Sequence, residues 1–262
     1  MELIVLGAAP AYTDRAGSAA SSYLLRHGDA SLLLDLGQGS FANLASTLEP
    51  SSLSAVLVSH LHPDHFIDLV PLRHYLKWEF APSRRVRVLG PAGLADRIDA
   101  LDSQPGFAAA ALDVERLSEG TLRIGPFDVT VKRVDHTEES YAFRVAVVAE
   151  AGGAPEEAVA GRSGRAGLVY SGDCARAEDL IPLIRAGDTL LSEASFGAGP
   201  ALPGAQHITS GDAGRAASAG GASRLLLTHI LSGRSRTDII DAAQAAFPGP
   251  AQLVTEGDRF EV

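Results

Sequence analysis

The chain has 262 residues, 46% of them apolar and 21% charged, the balance of a soluble globular protein with a sizeable core. Its formal net charge of −10 argues against gripping a long nucleic-acid backbone, since neutralising phosphates calls for a basic surface. A single cysteine, Cys174, excludes an intrachain disulfide and fits a reducing cytoplasm, and no apolar run reaches the about 20 residues that cross a bilayer.

In chain order, MELIVLGAAP has an acidic residue and a short apolar run, so it is expected to form a buried first strand rather than a secretory signal. LIVLG, SSYLLRHG and ASLLLDLG predict three strands separated by glycine-rich turns, and FANLASTL has helical spacing. LSAVLVSH predicts a buried strand, and FIDLVPLRHYLKW a helix despite Pro71. RVRVLG is a strand that runs into PAGLADRIDAL, a helix with proline near its start. After residue 112 the texture turns to strands in TLRIG, FDVTVKRVDH, SYAFRVAVVAE and GLVYSGD. LIPLIRAG, DTLLSEASF, TSGDAGRAASAGG, RLLLTHI, TDIIDAAQAAF and AQLVTEGDRFEV then repeat the logic of the first half. Residues 151–167, rich in glycine and alanine, read as a mobile hairpin loop. With no linker and no repeat, the chain is expected to be a single domain over 1–262.

The chemistry concentrates in VLVSHLHPDHFIDL, which sets His60, His62, Asp64 and His65 directly after an apolar strand. In an extended strand-end loop residues two apart point the same way, so His60 and His62 can converge. Asp64 and His65 follow Pro63 into the next helix and turn toward a second point nearby. Imidazole nitrogen mixed with carboxylate oxygen suits zinc, manganese or iron. Other apolar strands end in His136 (VKRVDH), Asp173 (GLVYSGD) and His229 (RLLLTHI), and polar residues along one rim are where a site in a strand-rich α/β protein is expected. Together with the cluster they complete two metal sites.

This ordered set, from LIVLG to LLLTHI, resembles the metallo-β-lactamase superfamily. The resemblance implies an α+β fold, the four-layer αββα sandwich, with two divalent metal ions at one edge between the sheets. By that likeness His60, His62 and His136 would hold one ion, Asp64, His65 and His229 the other, and Asp173 would bridge them. His136 lies in VDHTEESYAFRV rather than in a P-G-H-T turn, which with LSEASF, QHIT and LLLTHILSGR looks like the ribonuclease Z-like branch. That branch includes transfer-RNA 3′-processing nucleases and small-molecule phosphodiesterases. Its proton donor is a histidine shortly before the last ligand, supported by an acidic residue; the matching positions are His207 and Glu193. Six of the chain's eight histidines then have a role, and His27 and His74 are read as structural.

Two close divalent cations lower a water's pKa to about 7 and clamp a phosphoryl oxygen. Their charge outweighs that of Asp64, Asp173 and a hydroxide, so an anionic phosphodiester is attracted locally. Arg234 is either a contact to the substrate phosphate or a surface arginine. Asp35 is either a hydrogen-bond partner for a ligand histidine or a turn cap. The GPAG start of a helix is read as a plain turn rather than an anion site, SRRVR as a solvated strand edge, and Cys174 as a buried apolar residue rather than a thiolate.

The branch's nucleases carry a long basic arm between the third histidine and the bridging aspartate. Here that interval is short, and Arg162 and Arg165 are offset by Glu156 and Glu157. GAAPAYTDRAGSAAS also lacks the G-T-G-S-G-x-P-T run of those enzymes. The expectation is therefore a cytoplasmic metal-dependent hydrolase, a phosphodiesterase acting on a small phosphodiester such as a cyclic nucleotide. The resident metal is expected to be zinc, with manganese or iron as alternatives, and family likeness suggests a homodimer. A transfer-RNA 3′-endonuclease is the main rival, with a lactone or thioester hydrolase behind it. A di-iron redox site lacks its usual glutamate and flavin domain, and a metal-stabilised binding protein without turnover would not need His207.

Overall fold

The computed structural model describes residues 1–148, 165–201, 204 and 206–262, so most of the loop read at 151–167 lies outside the described residues. Alternation within the apolar runs sets the layers. In β1 (Glu2–Gly7) Leu3 and Val5 enter one core while Ile4 enters another. In β2 (Ser22–His27) Tyr23 and Leu25 follow the first pair and Leu24 faces the other way. β3 (Ala30–Leu34) repeats this with Leu32 and Leu34 against Leu33. Strands covered on both faces read as continuous apolar runs, which is why the sequence shows them so plainly.

The first three strands form an antiparallel meander, and β4 (Ala55–Leu57), β5 (Val86–Gly90) and β6 (Leu112–Arg116) extend it in parallel. The second sheet follows almost the same plan. β7 (Gly120–Ile124), β8 (Phe127–Arg133) and β9 (Tyr141–Val147) are antiparallel, and β10 (Leu168–Tyr170) joins them. β11 (Thr189–Glu193), β12 (Arg224–Thr228) and β13 (Ala251–Leu253) then add in parallel. A last short strand, β14 (Arg259–Glu261), returns to pair with β1 and completes the first of two seven-stranded sheets.

Between the sheets lie Leu3, Tyr23, Phe127, Phe143, Tyr170 and Leu226. α1 (Ser40–Thr47), the short α2 (Pro63–Phe66), α3 (Leu69–Trp78) and α4 (Leu94–Asp102) cover the first sheet through Leu44, Phe66, Leu72 and Ile98. α5 (Ser210–Gly220) and α6 (Arg236–Ala246) cover the second through Ala213, Ala217, Ile239 and Ala243. The result is the αββα sandwich expected from the sequence. Among the described residues no helix is long and apolar enough to cross a membrane.

Two local readings change. The helix expected across Phe66–Trp78 is broken into α2 and α3, and Pro71 falls in the first turn of α3, where its missing N–H has no intrahelical partner to lose. β6 had no sequence signature because it is a charged edge strand. Arg85 and Arg87 pair with its Asp113 and Glu115, so SRRVR is tied into the sheet margin. The rim that matters for chemistry is where β3, β4, β10, β11 and β12 end, because ligands gather beyond the carboxyl ends of parallel strands.

Candidate metal centre

Asp35, one residue past β3, is fully buried and sits at φ 58°, a left-handed conformation that costs a non-glycine residue about 1–3 kcal/mol. Its carboxylate explains the strain. Oδ1 accepts the Ser59 N–H at 2.6 Å, while Oδ2 accepts from Ser59 Oγ at 2.7 Å, Tyr170 OH at 2.6 Å and His65 Nδ1 at 2.7 Å. Asp35 thus both closes the turn and fixes His65 with its Nε2 turned away. The same device recurs around the rim: Ser59 Oγ lies 3.1 Å from His60 Nδ1, and His136 Nδ1 donates to the Gln206 carbonyl at 2.7 Å. His229 Nδ1 lies 2.9 Å from Ser195 Oγ, and His229 also has a positive φ of 58°. Holding one ring nitrogen fixes the direction in which the other points.

The free nitrogens converge. His60, His62, His136 and Asp173 each offer an atom within 4.8 Å of the others, and Asp64, His65 and His229 do the same. Between the two groups stands Asp173 Oδ2. It is 3.7 Å from His60 Nε2 and 3.8 Å from His136 Nε2 on one side, and 3.4 Å from His65 Nε2 and 3.6 Å from His229 Nε2 on the other. His62 Nδ1 approaches His136 Nε2 to 3.1 Å, and His229 Nε2 approaches Asp64 Oδ2 to 3.1 Å. His62 is partly exposed; the other six are buried.

Three buried atoms in this cluster, His60 Nε2, His65 Nε2 and Asp173 Oδ1, have no hydrogen-bond partner among the described residues. Orphaned polar atoms in an interior cost about 1–3 kcal/mol each unless something satisfies them, and bound cations would do so here. Protonation equilibria agree with that fit. Burial holds His60 well below its ordinary pKa, helped by the neighbouring His65, and burial also lowers His62 and His136, so these imidazoles are neutral, the form that binds metal. Burial opposes ionisation of Asp173, yet the imidazoles of His229 and His65 outweigh it and hold the carboxyl well below the usual range. For His65 burial disfavours the charged ring, but Asp173 and Asp35 push its pKa well up, and a cation would replace that proton. Residues and charges suit two divalent ions.

Beside the cluster, His207 Nδ1 donates to Glu193 Oε1 at 3.0 Å, and its side chain is 27% exposed, open enough to meet a ligand. Burial works against its charged form, but the hydrogen bond and charge of Glu193 raise its pKa to about 9. Glu193, at the end of β11, also accepts the Cys174 N–H at 2.8 Å and the Ser195 hydroxyl at 2.6 Å. Ser195 therefore links Glu193 to His229. Neither Ser195, Ser59 nor Tyr170 had been singled out in the sequence; hydroxyls carry no signal until their neighbours are known. Cys174 is buried and its thiol is pushed well up by burial, so it is an apolar packing residue.

Arg234 stands apart from the cluster. It is exposed and lines a cavity of about 220 Å³ with Arg15, Arg236 and Asp14, which reaches Thr228 and Ile230 on either side of His229. At GPAG the Ala92 N–H, just before the N-cap Gly93 of α4, donates to Glu139 Oε2 at 2.8 Å, so a carboxylate already stands at this helix start. His27 ends β2 at the surface and His74 packs edge-on against Phe107 at 5.2 Å, both outside the cluster.

Comparison with known proteins adds to this geometry. Residues 31–230 match the Beta-lactamase superfamily domain. Uncharacterized protein ML1173 of Mycobacterium leprae is 34% identical over 252 residues, spanning 94% of this chain and 83% of the relative. Ribonuclease Z of Geobacillus kaustophilus is 26% identical over 306 residues, spanning 100% of this chain and 99% of that enzyme. The crystal structure of the metallo-beta-lactamase fold protein YhfI from Bacillus subtilis aligns with a TM-score of 0.84 and 26% identity, covering 100% of this chain and 99% of that one.

Proposed function

The chain belongs to the beta-lactamase superfamily, and on that premise we propose that it is a dinuclear metal-dependent hydrolase, a cytoplasmic phosphodiesterase acting on a small phosphodiester such as a cyclic nucleotide. The observation that carries the reading is the single oxygen of Asp173 standing 3.4–3.8 Å from four imidazole nitrogens drawn from both ligand groups. On this reading His60, His62 and His136 hold one ion, Asp64, His65 and His229 the other, and Asp173 joins them within one domain over 1–262. Zinc is the proposed resident, with manganese or iron as alternatives. Bound there, two divalent cations supply Lewis acidity, polarising phosphoryl oxygen and making a water acidic enough to react near neutral pH.

The protein's own residues do the rest. His207, protonated and held at Nδ1 by Glu193, has Nε2 left to give a proton to the departing alkoxide, an effect worth about 10²–10⁴ in rate. Asp35, Ser59 and Ser195 keep the ligand imidazoles oriented. Arg234 presents a guanidinium that matches phosphate oxygens. A homodimer is the proposed assembly.

A transfer-RNA 3′-endonuclease is the second reading, favoured by full-length similarity to ribonuclease Z. The net charge of −10 and the short interval between His136 and Asp173 weigh against it. Purified protein given zinc or manganese should hydrolyse bis(p-nitrophenyl) phosphate, and His60→Ala and Asp64→Ala should lose that activity. Equal rates in wild type and variants contradict the dinuclear mechanism. Assaying cyclic nucleotides against unprocessed transfer RNA at two salt concentrations separates the two substrate classes.

A further inference from the structure

A second cavity, of about 530 Å³, lies between the start of α4 and the loop after β8, and it falls within the about 300–1,000 Å³ range of pockets that take small molecules. Its walls include Leu61, His62, Pro91, Asp96, Arg97 and Glu138. His62 belongs to the ligand cluster as well, so whatever enters this cavity lies beside the reacting phosphate. Leu61 and Pro91 give it apolar surface, as a ring system needs. The side chains of Asp96, Arg97 and Glu138 make no hydrogen bond or ion pair among the described residues, and all three are exposed at its mouth.

The charge pattern of this cavity differs from that around Arg234. There Arg15, Arg234 and Arg236 face one carboxylate, Asp14. Here Asp96, Glu138 and Glu139 face one guanidinium, Arg97. The N-terminus of α4 would ordinarily attract a phosphate, but the Glu139 carboxylate already takes the Ala92 N–H two residues before the helix and pairs with Arg116 besides. An anion entering here meets carboxylates, whereas hydroxyl and amino groups meet acceptors.

We propose that the cavity beside His62 seats the uncharged, hydrogen-bond-donating arm of the substrate, a nucleoside or a group like it, with Asp96 and Glu138 accepting its O–H and N–H groups and turning away any arm that carries a further phosphate. Arg97 lies where a guanidinium can stack on a ring. The inference rests on the hydrolase reading above and narrows it: the substrate is a diester with a single phosphate on this side, and a nucleic-acid strand, which repeats its charge at every residue, is rejected by the same carboxylates.

The test uses three chromogenic esters and the manganese-loaded protein. They are bis(p-nitrophenyl) phosphate, p-nitrophenyl thymidine 5′-phosphate, and the same thymidine ester carrying a 3′-phosphate. Wild type should prefer the thymidine ester to its 3′-phosphorylated counterpart by about tenfold in kcat/KM, the scale of one like-charge repulsion near a surface. Asp96→Asn/Glu138→Gln should shrink that preference to about twofold, and Glu138→Lys should invert it. Calorimetric binding of thymidine 5′-phosphate against thymidine 3′,5′-bisphosphate should shift in parallel, a readout free of turnover. No preference in wild type, or the same preference in both variants, overturns the proposal while leaving the hydrolase reading intact. Failure of wild type to cleave even the bis-aryl ester removes that reading and this one with it.

Discussion

The two halves of the sandwich share a strand plan but contribute to the rim in different ways. The half built on β1–β6 delivers four candidate ligands from one loop, His60, His62, Asp64 and His65, and Asp35 holds His65 directly and Ser59 beside His60. The half built on β7–β13 delivers its candidates one loop at a time: His136 after β8, Asp173 after β10, Glu193 at the end of β11, His207 before α5 and His229 after β12. The first arrangement makes a rigid, buried floor. The second spreads its candidate residues over separate loops that meet at the same rim. His136 and His207 illustrate the link, because His136 is held by the carbonyl of Gln206, next to His207 in the chain.

The comparison breaks most completely at Asp173, where the halves meet. Asp173→Ala should lower bis-aryl phosphodiester turnover at least about a thousandfold and reduce bound metal per chain, as read by elemental analysis beside the assay. Retention of both values would mean that the halves do not share a metal pair. His207→Ala probes the second half alone. It should cut kcat by about 10²–10⁴ while metal content stays that of wild type, separating proton donation from ligation. Asp35→Asn probes the floor: losing the charged partner of His65 should weaken metal affinity about 10–100-fold, measured by competition with a chelator.

The pH profile sharpens the account of His207. Its folded-state pKa is raised from 6.5 to about 9, with burial opposing and Glu193 supporting the charged ring. The stability this contributes is fully present below pH 6.5 and is lost as pH rises through about 9. Activity that depends on the protonated ring should fall over the same alkaline window. In Glu193→Gln the supporting charge is gone, so the alkaline limb of kcat should move to lower pH; an unmoved limb would assign it to another group. The smallest effect is expected at Arg234→Ala, a rise of a few-fold in KM with little change in kcat, because the guanidinium stands at the exposed cavity mouth and not in the cluster.

What the sequence revealed follows the same division. H-x-H-x-D-H is conspicuous because four candidate ligands are neighbours in the chain. His136, Asp173 and His229 were legible only as polar ends of apolar strands, a rule that works because parallel strands bring those ends to one rim. The layers were legible because strands covered on both faces show unbroken apolar runs. β6 and β14 stood out less, because these short edge strands carry charges at alternate positions in place of an unbroken apolar run. The double duty of Asp35 could not be read from LLLDLG, since all four of its donors come from residues distant in the chain, Ser59 twice, His65 and Tyr170. GPAG likewise gave no hint that Glu139 would accept its Ala92 N–H, for that residue lies far along the chain.

Anomalous scattering from crystals soaked in manganese or zinc tests the central claim most directly. Two peaks per chain should appear, one among His60, His62 and His136 and one among Asp64, His65 and His229, with Asp173 between them. A single peak, or ions bound away from these side chains, would contradict it.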